Sequence, residues 1–443
     1  MKIKTTWKRK AILYKFFLYG IIIILYHCFY LFAYPEIMNK IFSIYNTNTI
    51  IASVSFLCFL KRYRNGLKSD WLDIYSIMLI ASISVECIYS LIIYPKQTIF
   101  ITLRIALSFC VPILAVVYIK YFIWDHGTDK YIEFINAVSF AWNIYIILQK
   151  NYYLKTGSFL FDFLSYFNDG TVYMRNHTLR IGIGFMGECA ILYNFAYLFH
   201  PKNTNVVSRM FHLFAGCVGF YCLIALSQSR GDIVYVSIGL AAIIMISGKR
   251  LRTLAAKLLV LAGSIYIVFY TNTVQRFLQT FQAVGEYTNS ISNRVYAVAY
   301  YMECFKKNPI LGNGLANTRI DSPYFFVEHG GLGKAYYGDV GFLGLMANLG
   351  IISFIVYVMP MVHMGRVVIR LMKRNQLKEL AFPIGYYLYL LFSSISLLTV
   401  DRSRIIQMAF AIAYYEYLNI NNKKKCMGAI YEKAADENFE NYN

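Results

Sequence analysis

Residues 227–240 read SQSRGDIVYVSIGL and mark a sharp turn between two apolar segments. One hydrophobic run ends at Leu226, a few small or polar residues follow, and the next run begins at Ile233. Arg230 stands inside this turn. Apolar runs joined by so short a connection are typical of helices that cross a membrane one after another.

The overall composition supports the same fold class. The chain has 443 residues, of which 58% are hydrophobic and 15% are charged. An ordinary soluble domain is about half apolar and about a quarter charged. The excess falls into continuous runs, and a helix needs roughly 20 apolar residues to cross a bilayer. The sequence therefore predicts an all-α polytopic membrane protein.

The hydropathy pattern predicts about twelve transmembrane helices. The first run is too long for a cleavable signal peptide, and no small-residue cleavage site follows it. The runs lie near residues 12–33, 41–60, 71–94, 98–123, 131–148, 181–199, 210–226, 231–247, 253–271, 338–362, 380–399 and 404–420.

The distribution of Lys and Arg predicts the orientation of these helices. Segments on the side of the N-terminus are rich in basic residues, whereas the short loops on the opposite side carry few. Because cytoplasmic loops are enriched in Lys and Arg, both termini are predicted to lie in the cytoplasm. Basic residues beside anionic lipid headgroups then explain the net charge of +20 without a nucleic-acid partner. The seven histidines show no ligand spacing, so we predict neither a metal site nor a cofactor.

Two long outer connections divide the chain. Loops of more than about 12–15 residues are usually functional or disordered. The second connection carries apolar residues at helical spacing, which predicts an amphipathic helix on the outer surface; they are Val295, Val298, Ala299, Met302 and Phe305. The predicted units are helices 1–5 in 1–148, a first long outer loop in 149–180, helices 6–9 in 181–271, a large outer segment in 272–337, helices 10–12 in 338–420 and a cytoplasmic tail in 421–443.

Several arginines fall at the outer ends of predicted helices. Arg230 begins the eighth helix, Arg180 the sixth, and Arg402 and Arg404 the twelfth. A helix N-terminus carries roughly half a positive charge, so an arginine there is unfavourable alone and becomes favourable when an anion binds. Together with Arg294 on the amphipathic helix, these residues predict a cage for a lipid-linked phosphate or pyrophosphate. The alternative is that each arginine only extends to the lipid headgroups.

Three acidic residues complete the set of candidates. Glu188 lies about two turns into the sixth predicted helix, Glu86 lies in the middle of the third, and Asp339 begins the tenth. Ionisable groups inside a bilayer are costly and usually face a partner or a wet cavity. We interpret Glu86 as a structural partner, whereas Asp339 is either a first-turn or N-cap carboxylate or a catalytic group.

Residues 294–350 resemble a known family. The strings SNRVYAVAYYMECFKKNPILGNGLAN (292–317) and YYGDVGFLGLMANLGIISFIVY (336–357) are similar to the O-antigen and capsule polymerases (Wzy-type), which are related to the O-antigen ligases. Members often show an Arg, an amphipathic stretch, Asn/His-Pro followed by two hydrophobic residues and Gly-x-Gly, then an acidic residue, x and Gly. SQSRGDIVYVSIGLAAII (227–244) and RIGIGFMGECAIL (180–192) resemble two further family segments, with Cys189 where proline is common. The resemblance covers roughly 180–360.

The resemblance implies a GT-C-like, metal-independent glycosyltransferase at the outer face of a bacterial cell membrane. Such enzymes transfer a growing glycan from undecaprenyl pyrophosphate to another lipid-linked repeat unit, beside a flippase and a chain-length regulator. By position, Arg230 and Arg294 would bind the pyrophosphate and stabilise its departure. Arg180 would help them or bind sugar.

The resemblance leaves the remaining roles less defined. Asp339 or Glu188 would accept the proton of the attacking hydroxyl, and the choice between them stays open. Tyr336 and Tyr337 would stack against sugar rings. The related ligases place a His-Asn pair shortly before the acidic residue, whereas here His329 is followed by Gly330. This departure weakly disfavours a ligase and leaves the role of His329 open.

A third alternative is a flippase for lipid-linked oligosaccharides. A flippase needs charged residues deep along a central cavity, whereas the arginines of this sequence gather at the outer face. The sequence therefore favours the polymerase, then the ligase, then the flippase.

Overall fold

The computed structural model describes residues 2–26, 44–64, 71–160, 172–175, 178–184, 186–199, 205–246, 288–319, 321–373, 380–397 and 404–440. The predicted ninth helix (253–271) and Arg402 lie outside these residues, and of Arg230 only the backbone is described.

Helices make up nearly all of the described structure. In chain order they are α1 (Lys2–Leu25), α2 (Ile44–Arg64), α3 (Trp71–Ile93), α4 (Ile99–Phe109), α5 (Ala115–Trp124), α6 (Asp129–Thr156), α7 (Gly187–Phe199), α8 (Val206–Cys222), α9 (Arg230–Ile246), α10 (Thr288–Lys307), α11 (Phe325–His329), α12 (Gly341–Met372), α13 (Ala381–Ser396) and α14 (Arg404–Glu440). One antiparallel hairpin interrupts them, formed by β1 (Val172–Arg175) and β2 (Thr178–Ile181).

The described helices are those of a multi-pass membrane protein. Four spans are long and apolar enough to cross a bilayer: Trp71–Ile93, Asp129–Thr156, Val206–Ser227 and Gly341–Met372. The third consists of α8 and the π-helical turn Leu223–Ser227 that continues it. A fifth span results if α4 and α5 count as one bent helix. The all-α membrane fold is therefore confirmed, whereas the number of twelve spans stays a prediction.

The predicted fourth helix is bent. A 3₁₀ turn over Val111–Leu114 separates α4 from α5, and the two parts meet at 50°. Pro112 explains the break, because proline cannot donate a backbone hydrogen bond and disfavours the helical conformation of the residue before it. Hydropathy alone gave one continuous run because the residues around the break are all apolar.

The sixth helix begins later than predicted. Arg180 does not open a helix but lies in strand β2, and α7 begins at Gly187, so Glu188 is in its first turn rather than two turns in. The glycines of the RIGIGFMG segment disfavour a helix. The indole N–H of Trp142 donates to the Gly182 carbonyl at 2.9 Å and holds the extended chain against α6.

Helix α10 confirms the predicted helix of the outer segment but packs by a different face. Ala297 and Tyr301 are buried against the protein, whereas Val295, Val298 and Met302 of the predicted apolar stripe are exposed. Helical spacing predicted the more aliphatic stripe, whereas the tyrosines of α10 form most of the contact, together with Phe305 from the predicted stripe. At the other end of the chain, α14 continues to Glu440, so the predicted tail is helical over most of its length.

Candidate functional site

Helix α12 is broken at Gly350. This glycine has φ +62° and ψ −177°, a conformation that side-chain-bearing residues rarely adopt. A Cβ at this position would overlap with the carbonyl group of Ile310. A break inside an apolar helix releases backbone groups that another segment must satisfy.

The loop after α10 satisfies those backbone groups. Its sequence, NPILGNG (308–314), is the part of the chain that carries the Pro and Gly-x-Gly resemblance. Three backbone hydrogen bonds join it to the broken helix: Ile351 N–H to Pro309 C=O at 2.9 Å, Asn313 N–H to Ala347 C=O at 2.9 Å and Gly314 N–H to Asn348 C=O at 2.8 Å. The motif therefore clamps residues 288–319 and 321–340 to α12. This part of the chain is called the outer segment, after its predicted location.

The outer segment has its own small apolar core. Ala297 and Tyr301 of α10 pack with Ala335 and Val340, which precede α12. The Tyr301 hydroxyl donates to the Glu328 carbonyl of α11. Burial, with a smaller effect of the nearby Glu328 carboxylate, raises the pKa of Tyr301 far above its usual value, so the hydroxyl keeps its proton. Helices α10 and α11 and the start of α12 thus form one packed unit.

His329 and Tyr336 form an aromatic surface on this unit. The His329 ring stacks on Phe325 with centroids 4.1 Å apart, and Tyr336 meets it edge-on at 5.1 Å. His329 Nδ1 donates to the Phe325 carbonyl at 2.9 Å, so Nε2 is the ring nitrogen that stays available for another contact. Tyr336 is 52% exposed. The two rings are brought together, and an exposed aromatic face of this kind suits a sugar ring.

Asp339 lies directly before α12. It belongs to the 3₁₀ turn Tyr337–Asp339, and α12 begins at Gly341 rather than at the predicted position. No side chain caps the start of α12, so Asp339 does not serve as its N-cap. The side chain is exposed. Its carboxylate is therefore positioned to meet a molecule at the surface.

A second group of charges lies inside the helix bundle. Arg404 Nη2 at the start of α14 contacts Asp232 Oδ1 of α9 at 2.8 Å, and the Ser229 hydroxyl donates to Asp232 Oδ2 at 2.6 Å. Glu188 of α7 is only 8% exposed and interacts electrostatically with both Asp232 and Arg404. We call Glu188, Asp232 and Arg404 the buried cluster. The ion pair joins the starts of α9 and α14, and Glu188 at the start of α7 lies close to both charges.

The predicted arginines have different surroundings. Arg404 belongs to the buried cluster, Arg180 is buried in the hairpin near Lys150, and Arg294 is exposed on α10. The backbone of Arg230 begins α9 as predicted. The structure thus brings Arg404 together with Glu188, while the shared cage of arginines stays a prediction.

Packing between helix ends connects the outer segment with the bundle. A Cβ at Gly341, the first residue of α12, would overlap with the Ile395 carbonyl near the end of α13. Ser396 at that end hydrogen-bonds through its hydroxyl with Tyr235 of α9. The starts of α9 and α12 therefore adjoin the same end of α13, and Asp339 lies at the end of the bundle where α9 begins.

Sequence reasoning missed three charged residues of these regions. Asp232 stands two residues after Arg230, and its position in the first turn of α9 was the available signal. Arg104 and Arg319 line a cavity that also contacts α11. Arg104 interrupts an apolar run, which is a signal of a functional or paired charge, whereas Arg319 carries no such pattern.

Metal binding was predicted to be absent from histidine spacing alone. Within the described ranges, no group of three or more His, Cys, Asp or Glu side chains is placed to hold a metal ion. The prediction continues to rest on the sequence.

Residues 215–358 match the family model described as O-antigen ligase. The match begins in α8, includes α9 and the outer segment, and ends in α12 after the break at Gly350. It confirms the resemblance to the O-antigen ligase-related family. No curated protein matches the chain.

Proposed function

We propose, from the premise that residues 215–358 form a domain of the O-antigen ligase-related family, that the protein is a polysaccharide repeat-unit polymerase. The family handles glycans at a membrane and acts on lipid-linked oligosaccharides. The observation that carries the finer assignment is the outer segment, which holds an exposed arginine, an aromatic surface and an exposed carboxylate on one packed unit. This unit is clamped to a membrane helix by the recognised motif.

The reaction is transfer of a glycan from undecaprenyl pyrophosphate to a hydroxyl of another lipid-linked repeat unit. The hydroxyl oxygen bonds to the anomeric carbon while the bond from that carbon to the pyrophosphate oxygen breaks, and the electron pair leaves with the pyrophosphate. Arg230 and Arg294 neutralise the charge that develops on the leaving group. Arg180 is buried in the hairpin, so it would act through its charge at longer range and not as a direct contact. Because this stabilisation acts on the departing charge, it lowers the barrier more than it tightens substrate binding.

Asp339 is the better candidate for the base that accepts the hydroxyl proton. A base must come within hydrogen-bond distance of its substrate, directly or through one water. Asp339 is exposed, whereas Glu188 is 8% exposed and interacts with Arg404 and Asp232. Glu188 would then position the helix ends that surround the site. Tyr336 and Tyr337 hold the sugar rings.

The cellular setting belongs to the same proposal. The protein lies in a bacterial cell membrane with about twelve spans and both termini in the cytoplasm, and its site faces outward. A flippase supplies the lipid-linked units, and a chain-length regulator acts on the product. Arg402 adds positive charge at the outer rim.

A ligase that moves finished glycan to a different acceptor is the second candidate. The description of the matched family favours it. His329 also favours it, because its ring contacts Tyr336 and the residue stands ten positions before Asp339. The missing His-Asn pair disfavours it.

Lipid analysis of a deletion strain separates these candidates. A polymerase predicts that single lipid-linked units accumulate on the outer leaflet. Full-length unattached polymer would identify a ligase, and units retained on the inner leaflet would identify a flippase.

Substitution of Arg294 tests the site itself. Arg294→Ala should shorten or abolish the polymer at a matched protein level, because an exposed cation that contacts pyrophosphate is removed. Lys306→Ala, an exposed basic residue at the other end of α10, is the control and should leave polymer unchanged. Normal polymer length and amount in both variants would exclude the proposed pyrophosphate contact.

A further inference from the structure

A cavity of about 90 Å³ lies between the outer segment and the bundle. Its walls come from α2, α4, α11, α12 and the loop 314–319. One buried water needs roughly 10–15 Å³, so the cavity exceeds the space for a single water several times. It is smaller than the apolar cavity of about 150 Å³ that accommodates benzene. This size fits one charged substituent with part of its sugar ring.

The loop wall of the cavity is held rigidly. The Gln97 side chain is buried between α3 and α4, where its Nε2 donates to the Leu315 carbonyl at 2.9 Å and its Oε1 accepts from the Asn317 amide at 2.7 Å. The Leu315 amide donates to the Ser90 hydroxyl at 2.7 Å. A preorganised wall lowers the cost of ordering the site when a ligand binds.

The charges of the cavity favour an anion. Arg104 and Arg319 both line it and repel each other electrostatically. Glu328 is the one acidic residue in the lining, so the cavity keeps a net positive charge with both guanidinium groups. Like charges that share a site are relieved by a ligand of opposite charge, and a guanidinium binds carboxylate or phosphate through two parallel hydrogen bonds.

The neutral polar groups of the lining fit a sugar. Asn317, Asn348 and Ser108 line the cavity, and their side chains carry two amides and a hydroxyl. Amides and hydroxyls both donate and accept hydrogen bonds, as sugar hydroxyls require. Tyr337, which also lines the cavity, connects it with the turn that carries Asp339.

We propose that this cavity binds one negatively charged sugar of the glycan substrate, a uronic acid or a sugar phosphate, with Arg104 and Arg319 contacting the charge. The inference rests on the proposed function, because the glycan is the molecule that function brings to this face. It adds a specificity site: repeat units that carry an acidic sugar are held by a cavity separate from the pyrophosphate arginines.

Binding to the purified full chain in detergent tests the proposal without turnover. The probes are glucuronic acid, glucose 6-phosphate, glucose and inorganic phosphate, each titrated by calorimetry. At least one charged sugar should bind tenfold or more tightly than glucose, and Arg104→Gln and Arg319→Gln should each weaken it at least tenfold. Preference for glucuronic acid would identify a uronate, and preference for glucose 6-phosphate would identify a sugar phosphate.

Three results would overturn the proposal. They are equal affinity for glucose and the charged sugars, unchanged affinity in both arginine variants, or inorganic phosphate binding as tightly as the sugar phosphate. Lys306→Gln removes an exposed cation of α10 outside the lining and should leave the affinity unchanged. Thermal unfolding of each variant shows that it is folded, and since Arg319 is exposed, its variant carries the test if Arg104→Gln is unstable.

The proposed function can fail separately. If a deletion strain accumulates no lipid-linked units while the purified protein binds the charged sugar through Arg104 and Arg319, the cavity assignment stands and the polymerase assignment fails. If lipid-linked units accumulate and no charged sugar binds, the polymerase assignment stands and the cavity assignment fails.

Discussion

The buried cluster and the outer segment both carry arginine and carboxylate groups, yet these groups differ in their partners. Arg404 and Asp232 form an ion pair whose side chains are 20% and 13% exposed, with Glu188 beside them. On the outer segment, Arg294 and Asp339 are exposed. Arg404 and Asp232 stabilise each other, whereas the exposed charges of the outer segment can meet a substrate.

The sequence predicts substrate binding for all of these arginines. The difference in their partners assigns a structural role to Arg404 and substrate contact to Arg294. From the sequence alone, every arginine at a helix start is predicted to experience the same positive end of a helix dipole. The guanidinium of Arg404 is engaged by Asp232 within the protein, so this residue joins the starts of α9 and α14. Substrate contact is better supported for Arg294, which lies on the unit that also presents the aromatic surface.

The largest expected effect is on the buried cluster. Arg404→Ala should lower the free energy of unfolding by about 3–5 kcal/mol, because it leaves the largely buried Asp232 carboxylate without its cation. Chemical unfolding of the full chain in detergent measures this loss. The double variant Arg404→Ala with Asp232→Ala should recover part of it. A loss below about 1 kcal/mol would show that the pair behaves like an exposed one.

The next effect concerns catalysis and compares one carboxylate from each region. Asp339→Asn should lower the turnover number about a hundredfold or more with unchanged thermal stability, since loss of a general base has that magnitude. A hundredfold loss corresponds to about 2.7 kcal/mol in the barrier. Glu188→Gln is the comparison and should change stability more than turnover. If Glu188→Gln lowered turnover and Asp339→Asn did not, Glu188 of the buried cluster would be identified as the base. Polymer formed from lipid-linked units by purified protein gives the rates.

The sequence predicted the features that depend on local patterns. Apolar runs predicted most of the membrane helices and the start of α9, and helical spacing predicted α10. Contacts between distant segments left no such pattern. Asp232 and Arg404 are far apart in the chain, and nothing in either neighbourhood indicates that they pair.

The Gly-x-Gly motif is a second example of a contact between distant segments that the sequence does not predict. Its residues were recognised by resemblance, and their physical role became clear only with the break at Gly350. The hairpin that holds Arg180 was missed because its apolar residues continue directly into α7. Arg104 and Arg319 line the same cavity because α4 ends at the bend near Pro112 and the loop of Arg319 is held against α12. Hydropathy predicts neither of these features.

A smaller effect is expected at the clamp that holds the outer segment in place. Gly350→Ala should cost at least about 1–2 kcal/mol, because an L side chain disfavours positive φ by that amount, and the added methyl group also overlaps with the Ile310 carbonyl. Gly331→Ala is the matched control, since it has open space around it and no positive φ. Chemical unfolding measures both. Equal stability of the two variants would mean that α12 need not be broken to bind the loop.

The smallest effect is expected inside the outer segment. Tyr301→Phe removes the hydroxyl that donates to the Glu328 carbonyl and should destabilise the protein by about 1 kcal/mol, the net value of one hydrogen bond. Tyr152→Phe is the control, because this tyrosine is 37% exposed and its hydroxyl has no hydrogen bond among the described residues. Since Tyr301 joins α10 to α11, its loss should also raise amide hydrogen exchange in 325–329 while leaving α14 unchanged. Faster exchange around Arg404 in this variant would show instead that the two regions unfold as one cooperative unit.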